Sequence, residues 1–351
     1  MENKRIEWID LLKCFAICCV ILVHSAENVY VFDLDYMNSI PLHTQIWAFL
    51  LFTVGRLGVP IFLMCSGFLL LDREYDTQRT VRFWKKNLLG LFLTTELWVL
   101  IYIVFMSRFY EEPVVAGTLV KNVLFLKYMD VSHMWYMPVI LGIYLFIPFV
   151  AVALHRFSWR IFCFPWSIAL AYLGIVPVIN VILAISDPDS RLAVLPALEF
   201  SGGIYGCILV TGYLVRKGFL GKVKRWLLAV LTVVSVGCTI VIQIYSFHHG
   251  EVYKVWYDNI FLIIASICIF TWFARLKQVR FRSLWENLSR CSFGIYLLHN
   301  IVIMILKKYV VIASASVRTA VFWGLALGLS WFVVWLVSHN RIAAKVLFFI
   351  R

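Results

Sequence analysis

Stretches of about 20 mostly apolar residues recur along this chain, and each is long enough to cross the hydrocarbon core of a bilayer. A soluble domain is about half apolar, whereas 62% of these 351 residues are hydrophobic and the mean hydropathy is +0.88. A soluble fold of this composition could not keep its apolar surface from water. The sequence therefore predicts an all-α polytopic membrane protein with about ten transmembrane helices, over residues 8–30, 46–71, 86–107, 133–154, 161–183, 197–215, 226–246, 256–274, 291–310 and 319–338.

The basic residues predict how these segments are oriented. If the N-terminus lies in the cytoplasm and the segments alternate, 22 Lys and Arg residues fall on the cytoplasmic side and 8 outside. Because Lys and Arg are enriched in cytoplasmic loops, both termini are predicted to be cytoplasmic. The net charge of +13 reflects this topology. Because the basic residues are scattered over many loops rather than gathered on one face, we predict no nucleic-acid partner. No loop can hold a soluble domain, so residues 1–351 are expected to form a single membrane-embedded domain.

Cysteine usage gives no sign of a metal centre. The nine cysteines all fall within apolar stretches, and none has the paired spacing of a zinc site. A buried free cysteine behaves as a small hydrophobic residue. We therefore expect no metal.

The first apolar stretch, IDLLKCFAICCVILVHS (residues 9–25), contains three ionisable residues. At about 100° per residue, Lys13 and His24 are about 20° apart around the helix, and Asp10 and His24 about 40° apart. All three therefore share one face, with His24 about 16 Å further along the axis than Lys13. Asp10 and Lys13, three residues apart, can form a pair.

Each of these residues also has a structural interpretation. Lys13 could extend its amine to the membrane surface, Asp10 could be an interfacial acid, and His24 could be a hydrogen-bonded core residue. Their alignment favours a functional role over a structural one, because ionisable groups deep in a span usually face the bundle interior and mark a proton or substrate path. His24 and Asp10 are therefore the candidate catalytic residues.

The alignment indicates a type of chemistry without identifying a ligand. A neutral imidazole can act as a general base near pH 7, and a lysine near the membrane edge can bind phosphate. A base and a cation about 16 Å apart would suit a long molecule with a charged head and a reactive tail. An acyl-coenzyme A is such a molecule.

The spacing D-x2-K-x10-H resembles the first-helix D-x2-R-x10-H motif of acyltransferase family three, a family of bacterial integral-membrane O-acyltransferases. Four later segments resemble further parts of that family in the same order, so the similarity covers nearly the whole chain. They are GVPIFLMCSGFLLL (58–71), FWKKNLLGLF (83–92), HMWYMPVILGIYLFIPF (133–149) and LSRCSFGIYLLHNIVI (288–303).

The resemblance implies transfer of an acyl group, usually acetyl, from cytoplasmic acyl-CoA to a hydroxyl of a cell-envelope glycan or its lipid-linked precursor. It implies acetyl-CoA or another acyl-CoA as co-substrate, a location in the cell inner (plasma) membrane, and His24 as the base. The expected donor-binding residues are Lys13, Arg56, Arg82, Lys85 and Lys86.

This sequence departs from the family pattern at two places. Lys13 replaces the usual arginine, which keeps the charge but loses bidentate phosphate geometry. The Arg-x-x-Arg pattern before the third helix is reduced to Lys86 followed by Leu89, so donor contacts there would depend on Arg82 and Lys85.

Six further residues are second-rank candidates for acceptor contact or for structure: Glu27, Ser66, His133, Trp135, Tyr296 and His299. Glu27 could orient His24 or simply end the helix in solvent. Ser66 precedes a glycine and could serve close helix packing. Trp135 could be an interfacial belt residue. His299 is the second deep imidazole, and Tyr296 could hydrogen-bond near it.

A membrane transporter or flippase is the competing class. It would share the ten spans, the buried charges and a broken helix, which the sequence predicts around Gly55, Arg56, Gly58 and Pro60. Such proteins are often built from inverted halves, and this sequence shows no matched second broken segment.

Overall fold

The computed structural model describes residues 5–113, 116–126, 132–186, 191–194, 196 and 198–350, and all regular structure in these ranges is helical. The helices are α1 (Glu7–Val29), α2 (Leu34–Ser39), α3 (Leu42–Arg56), α4 (Gly58–Leu70), α5 (Thr77–Phe83), α6 (Leu89–Phe109), α7 (Ala116–Val123), α8 (Tyr136–Arg156), α9 (Trp159–Leu170), α10 (Val176–Ser186), α11 (Gly203–Arg216), α12 (Arg225–His248), α13 (Ile260–Phe273), α14 (Arg282–Tyr309), α15 (Ala315–Val337) and α16 (Arg341–Phe348). Turns of π-helix at Trp84–Leu88 and Ala171–Ile175 join α5 to α6 and α9 to α10.

The described helices confirm the predicted all-α polytopic class. Eight helical segments are long and apolar enough to cross a membrane: Glu7–Val29, Leu42–Leu70, Thr77–Phe109, His133–Arg156, Trp159–Ser186, Arg225–His248, Arg282–Tyr309 and Ala315–Val337. The sixth and eighth predicted spans correspond to α11 and α13, which are shorter apolar helices of 14 residues each. Each is about 21 Å long, less than the roughly 30 Å of a hydrocarbon core.

Both short helices begin several residues after the start of the predicted span, and a local feature of the sequence explains each. Gly202, just before α11, has a left-handed φ of 83°, which ends the preceding turn of helix. Asn259 caps α13 by accepting a hydrogen bond from the backbone N–H of Leu262. The predicted ten segments are therefore all present, but two of them are shorter than the sequence suggested.

Helix α1 lies in the interior of the bundle. It packs against α3, α4, α14 and α15, and 72% of its most apolar window is buried. By contrast, α12 and α15 are only 22% buried over their windows, as expected for helices that face lipid. The polar residues of α1 are therefore surrounded by protein, as the predicted shared face required.

Glycines let α3 and α4 approach α1 closely. A Cβ atom at Gly55 would lie 2.5 Å from the backbone nitrogen of Val23, and one at Gly58 would lie 2.5 Å from the carbonyl oxygen of Ala16. The helix breaks between Arg56 and Gly58, as predicted. This close approach brings the end of α3 against the second half of α1.

A reciprocal glycine contact joins α4 to α11. A Cβ at Gly67 would lie 1.8 Å from the carbonyl oxygen of Leu209, and one at Gly212 would lie 2.0 Å from that of Met64. Small residues that allow two backbones to touch are typical of helix pairs in membranes. The predicted packing role of the small-residue pair at 66–67 therefore belongs to Gly67.

The C-terminal helix α16 returns to the bundle and packs against α6, α14 and α15. Trp98 Nε1 donates to the carbonyl oxygen of Leu347 at 2.6 Å, and Thr94 Oγ1 to that of Val346 at 3.2 Å. Phe349 follows with a left-handed φ of 52°, and a Cβ at Gly90 would meet its ring at 2.4 Å. The return thus fixes the Phe349 ring beside the first turn of α6.

Candidate active site

A cavity of about 740 Å³ lies at the end of the bundle where α1 begins. Its charged lining residues are Arg5, Asp10, Lys13, Asp72, Arg73, Arg216 and Arg290. Its other end is formed by Val20, Tyr136 and Tyr296, and apolar side chains line the walls between. The cavity therefore has a mainly cationic mouth and a mostly apolar interior.

Asp10 pairs with Arg5 rather than with Lys13, contrary to the pairing that the sequence suggested. Arg5 donates to both carboxylate oxygens, at 2.7 and 3.1 Å, and Ser289 Oγ donates to one of them at 2.7 Å. Arg5 can do so because the chain before α1 is extended at Ile6, which directs the guanidinium back toward the helix. Lys13 has no hydrogen bond or ion pair with any described residue, so its charge is available to the cavity.

The structure does not bring Asp10 to His24. The two residues are fourteen positions apart on α1, about 21 Å along the axis. The carboxylate of Asp10 therefore cannot contact the imidazole. Its contacts fix Arg5 and α14 at the mouth instead.

His24 is held by Glu27, one turn further along α1. His24 Nδ1 lies 3.2 Å from Glu27 Oε2, and Glu27 Oε1 lies 2.7 Å from Arg56 Nη2. An ionised carboxylate only accepts hydrogen bonds, so Nδ1 carries the proton and Nε2 keeps the lone pair. The His24 residue is 9% exposed. This arrangement leaves Nε2 as the basic nitrogen.

Arg56 lies with Glu27 and outside the lining of the cavity, which favours a role other than the expected donor binding. Its guanidinium is 4.5 Å from the ring centre of Trp256, and its Nη1 donates to the hydroxyl of Tyr257 at 3.3 Å. The residue is 5% exposed. A buried arginine in a membrane must be paired, and Glu27 is its partner.

Two more imidazoles lie beside His24. The ring centres of His133 and His299 are 6.0 and 5.2 Å from that of His24, and 5.1 Å from each other. Sequence reasoning ranked the two separately and did not predict that all three would meet. Across the described residues, no group of three or more His, Cys, Asp or Glu side chains is placed to hold a metal ion.

Tyr296 separates the cavity from the imidazoles. It lines the inner end of the cavity, and its ring centre is 5.5 Å from that of His133 and 6.1 Å from that of His299. Its hydroxyl donates to the backbone carbonyl of His133 at 2.6 Å. Val20, also in the lining, precedes His24 by one turn, about 6 Å. The lining of the cavity therefore comes within one helical turn of His24 at Val20, and reaches the other two imidazoles at Tyr296.

The other predicted donor residues lie beside the cavity rather than in it. Arg82 and Lys86 line a separate shallow cavity of about 290 Å³, and Lys85 is exposed on the π-turn before α6. Arg73 lines both cavities and could connect them.

The cations that do line the mouth include four arginines that sequence reasoning did not select: Arg5, Arg73, Arg216 and Arg290. Their signal was only their place in the N-terminal segment and the loops predicted to be cytoplasmic.

Asp72 neutralises part of this positive charge. Its carboxylate lies 2.7 Å from Arg216 Nε and 2.5 Å from Lys217 Nζ. Burial raises the pKa of Asp72, but the hydrogen bond from Lys217 and the charge of Arg216 outweigh it, so the pKa is lowered. Arg290, like Lys13, has no ion pair with a described residue.

Two second-rank candidates have clear places. Ser66 lines the main cavity. Trp135 is not an isolated interfacial residue but packs in an aromatic cluster. Its ring centre is 5.1 Å from that of Trp256, 5.3 Å from that of Tyr257 and 5.8 Å from that of Tyr205. Two of these rings, Trp256 and Tyr257, lie against the Arg56 guanidinium.

Comparison with known families agrees with the resemblance in the motifs. A family model described as an acyltransferase domain, that of acyltransferase family 3, matches residues 6–339. No curated protein and no solved structure matches the chain. The family match includes all ten apolar segments, the three imidazoles and every charged residue of the mouth except Arg5. The chain therefore belongs to acyltransferase family 3, whose members are membrane acyltransferases.

Proposed function

We propose that the protein is an O-acyltransferase that moves an acyl group, in the first instance acetyl, from cytoplasmic acyl-CoA to a hydroxyl of a cell-envelope glycan or its lipid-linked precursor. The observation that carries the proposal is the cavity with a cationic mouth whose lining reaches Val20, one turn of α1 before His24. The excess of basic residues on the side where α1 begins supports a cytoplasmic mouth. The inner (plasma) membrane is the corresponding location.

The cavity suits the shape of an acyl-CoA. Lys13 and Arg290 offer cations that have no ion-pair partner among the described residues, and such groups bind phosphates strongly. Leu91, Ile140 and Phe293 supply an apolar wall for the pantetheine arm. A volume of about 740 Å³ is within the usual range for pockets that bind small molecules. The thioester would then reach the inner end of the cavity, beside Tyr296.

The geometry of His24 supports a general-base mechanism. Glu27 holds the proton on Nδ1, so Nε2 can accept the proton of the acceptor hydroxyl. The hydroxyl oxygen attacks the thioester carbonyl, the carbon–sulfur bond breaks, and CoA leaves as a thiol after its sulfur takes the proton from Nε2. Prior acylation of His24 is the other route, and it asks more of the imidazole.

His24→Ala tests this proposal in purified protein reconstituted in vesicles. We expect acetyl-CoA consumption in the presence of an envelope glycan extract to be abolished, while expression and insertion are unchanged. His339→Ala is the matched control, because His339 is exposed and lies outside the site. Full activity of His24→Ala would overturn the assignment.

The product identifies the acceptor and separates this function from transport. Mass spectrometry of envelope glycans from cells with and without the protein should show the loss of one acyl mass. A transporter or flippase would leave that mass in place and would not consume acetyl-CoA in the absence of a gradient.

A further inference from the structure

The carboxylate that orients the candidate base is itself accessible, at the end of the bundle opposite the cationic mouth. Glu27 lies in the last turn of α1, whereas the mouth lies where that helix begins. Its two oxygens contact His24 Nδ1 at 3.2 Å and Arg56 Nη2 at 2.7 Å. Even so, 28% of the Glu27 side chain is exposed. The site therefore has a second approach, separate from the donor cavity.

The connection between α12 and α13 brings an aromatic ring to this second approach. Residues 251–256 in that connection are not helical, and such backbone is not tolerated against lipid hydrocarbon, so it faces water, headgroups or protein. The Arg56 guanidinium lies over one face of the Trp256 ring, 4.5 Å from its centre, yet Trp256 is still 38% exposed. An unbroken series of contacts thus leads from His24 through Glu27 and Arg56 to an accessible indole.

Anchoring to the membrane does not explain how Trp256 is held. A tryptophan near a membrane surface is usually an interfacial anchor, and an anchor needs no buried cation beneath its ring. Here the ring packs on Trp135 and Tyr257, with centres 5.1 and 5.0 Å away, and Arg56 also donates to the Tyr257 hydroxyl. Keeping a buried arginine in a membrane protein is costly. That cost is explained if Arg56 must fix the indole and Glu27 in one arrangement.

The chemistry of this arrangement suits a sugar ring. The C–H groups on one face of a pyranose are weakly positive and pack against the negative face of an aromatic ring, while its hydroxyls donate to carboxylates. A carboxylate has about four lone-pair positions, and His24 and Arg56 occupy two of those on Glu27. Aromatic walls with a few fixed polar groups are usual in ligand sites. A lipid chain would match the ring of Trp256 but not the carboxylate.

We propose that Trp256 is the platform on which a pyranose ring of the acceptor glycan packs, with one sugar hydroxyl donating to Glu27. This inference rests on the proposed function, because it assumes an acceptor hydroxyl that His24 activates. The sugar enters at the end of the bundle opposite the mouth, so donor and acceptor approach His24 from opposite sides of the membrane. Arg56 then serves the acceptor instead of the donor, by holding both the indole and the carboxylate.

Trp256→Leu tests the platform, because it removes the ring face and keeps an apolar side chain. In vesicles with acetyl-CoA, the amount of envelope glycan extract that gives half the maximal rate should rise about tenfold. KM for acetyl-CoA should stay within about twofold, because Trp256 does not line the donor cavity. Trp256→Tyr keeps a ring face and should stay close to the unsubstituted protein.

Trp47→Leu is the matched control. Trp47 is 44% exposed and lies about 13 Å from Arg56 along α3, so its loss should leave the response to the extract unchanged. An unchanged half-saturating amount in Trp256→Leu, or an equal rise in Trp47→Leu, would overturn the inference.

A competition experiment on the unsubstituted protein covers the case in which Trp256→Leu does not fold. The probes are the methyl pyranosides of glucose, galactose and N-acetylglucosamine, and sorbitol, which has hydroxyls but no ring. Acyl transfer to the extract is followed by mass spectrometry, so a pyranoside that is itself acylated still counts as a competitor. At least one pyranoside should compete with the extract and sorbitol should not. Equal competition by sorbitol, or none by any pyranoside, would contradict the proposal.

Failure of the proposed function would look different. No acyl mass would then appear on the glycan, and His24→Ala would consume as much acetyl-CoA as the unsubstituted protein. Failure of this inference alone leaves acyl transfer intact and dependent on His24.

Discussion

Glu27→Gln offers a sharp test of how His24 is oriented. A glutamine amide can donate to His24 Nδ1, which moves the ring proton to Nε2 and removes the lone pair that the mechanism needs. Replacing Glu27 also leaves Arg56, 5% exposed and 2.7 Å from the lost carboxylate, without its ion-pair partner. The substitution should therefore affect both catalysis and stability, by two separable effects.

The expected magnitudes follow from these contacts. Loss of a correctly protonated base lowers kcat by about 10²- to 10⁴-fold. Leaving one partner of a buried ion pair uncompensated lowers the free energy of unfolding by about 3–5 kcal/mol. Replacing both partners is much less costly, so the double variant Glu27→Gln/Arg56→Met should regain most of the stability and none of the activity.

The assay combines acetyl-CoA turnover in vesicles with thermal unfolding of the same preparations. A kcat for Glu27→Gln within threefold of the unsubstituted protein would refute the orienting role. Recovery of activity together with stability in the double variant would show that Glu27 acts only through the fold.

Three further predictions concern the donor, the packing and the pH dependence. Lys13→Ala should raise KM for acetyl-CoA about tenfold with little change in kcat; an unchanged KM would remove its donor role, and Lys13→Arg should retain a low KM. Gly67→Val should lower the free energy of unfolding by about 1–3 kcal/mol or more, because a Cβ would lie 1.8 Å from the Leu209 carbonyl. Gly142→Ala is its control, since a Cβ there meets nothing within 4 Å, and equal losses in the two variants would contradict the packing argument. Because the pKa of Asp72 is lowered in the fold, its stabilising effect is complete above the ordinary value of about 3.9 and is lost as the pH falls through the lowered value. The unfolding midpoint should therefore drop in that acid range, and less so in Asp72→Asn; parallel pH profiles would argue against this contribution.

The shared face of α1 could be predicted because it depends only on local geometry. Residues on one helix have a fixed angular spacing, and bilayer thickness limits the length of each span. The D-x2-K-x10-H spacing was therefore enough to predict that Lys13 and His24 face the interior. The break between Arg56 and Gly58 was also visible, because glycine and proline mark it in the sequence.

The convergence of the three imidazoles could not be derived in this way. His133 comes from the turn before α8 and His299 from α14, and only tertiary packing decides that they meet His24. The pairing of Asp10 was missed for a related reason. Arg5 lies outside the helix, and helical periodicity says nothing about where an extended chain directs its side chain.

The wall that Phe349 adds to the cavity lies beyond residue 339, where the family match stops. The ring is held there by the return of α16 against α6, through the hydrogen bonds of Trp98 and Thr94 and the contact at Gly90. Displacing α16 would therefore open this side of the chamber to the surrounding fluid while the apolar segments stay in the bilayer.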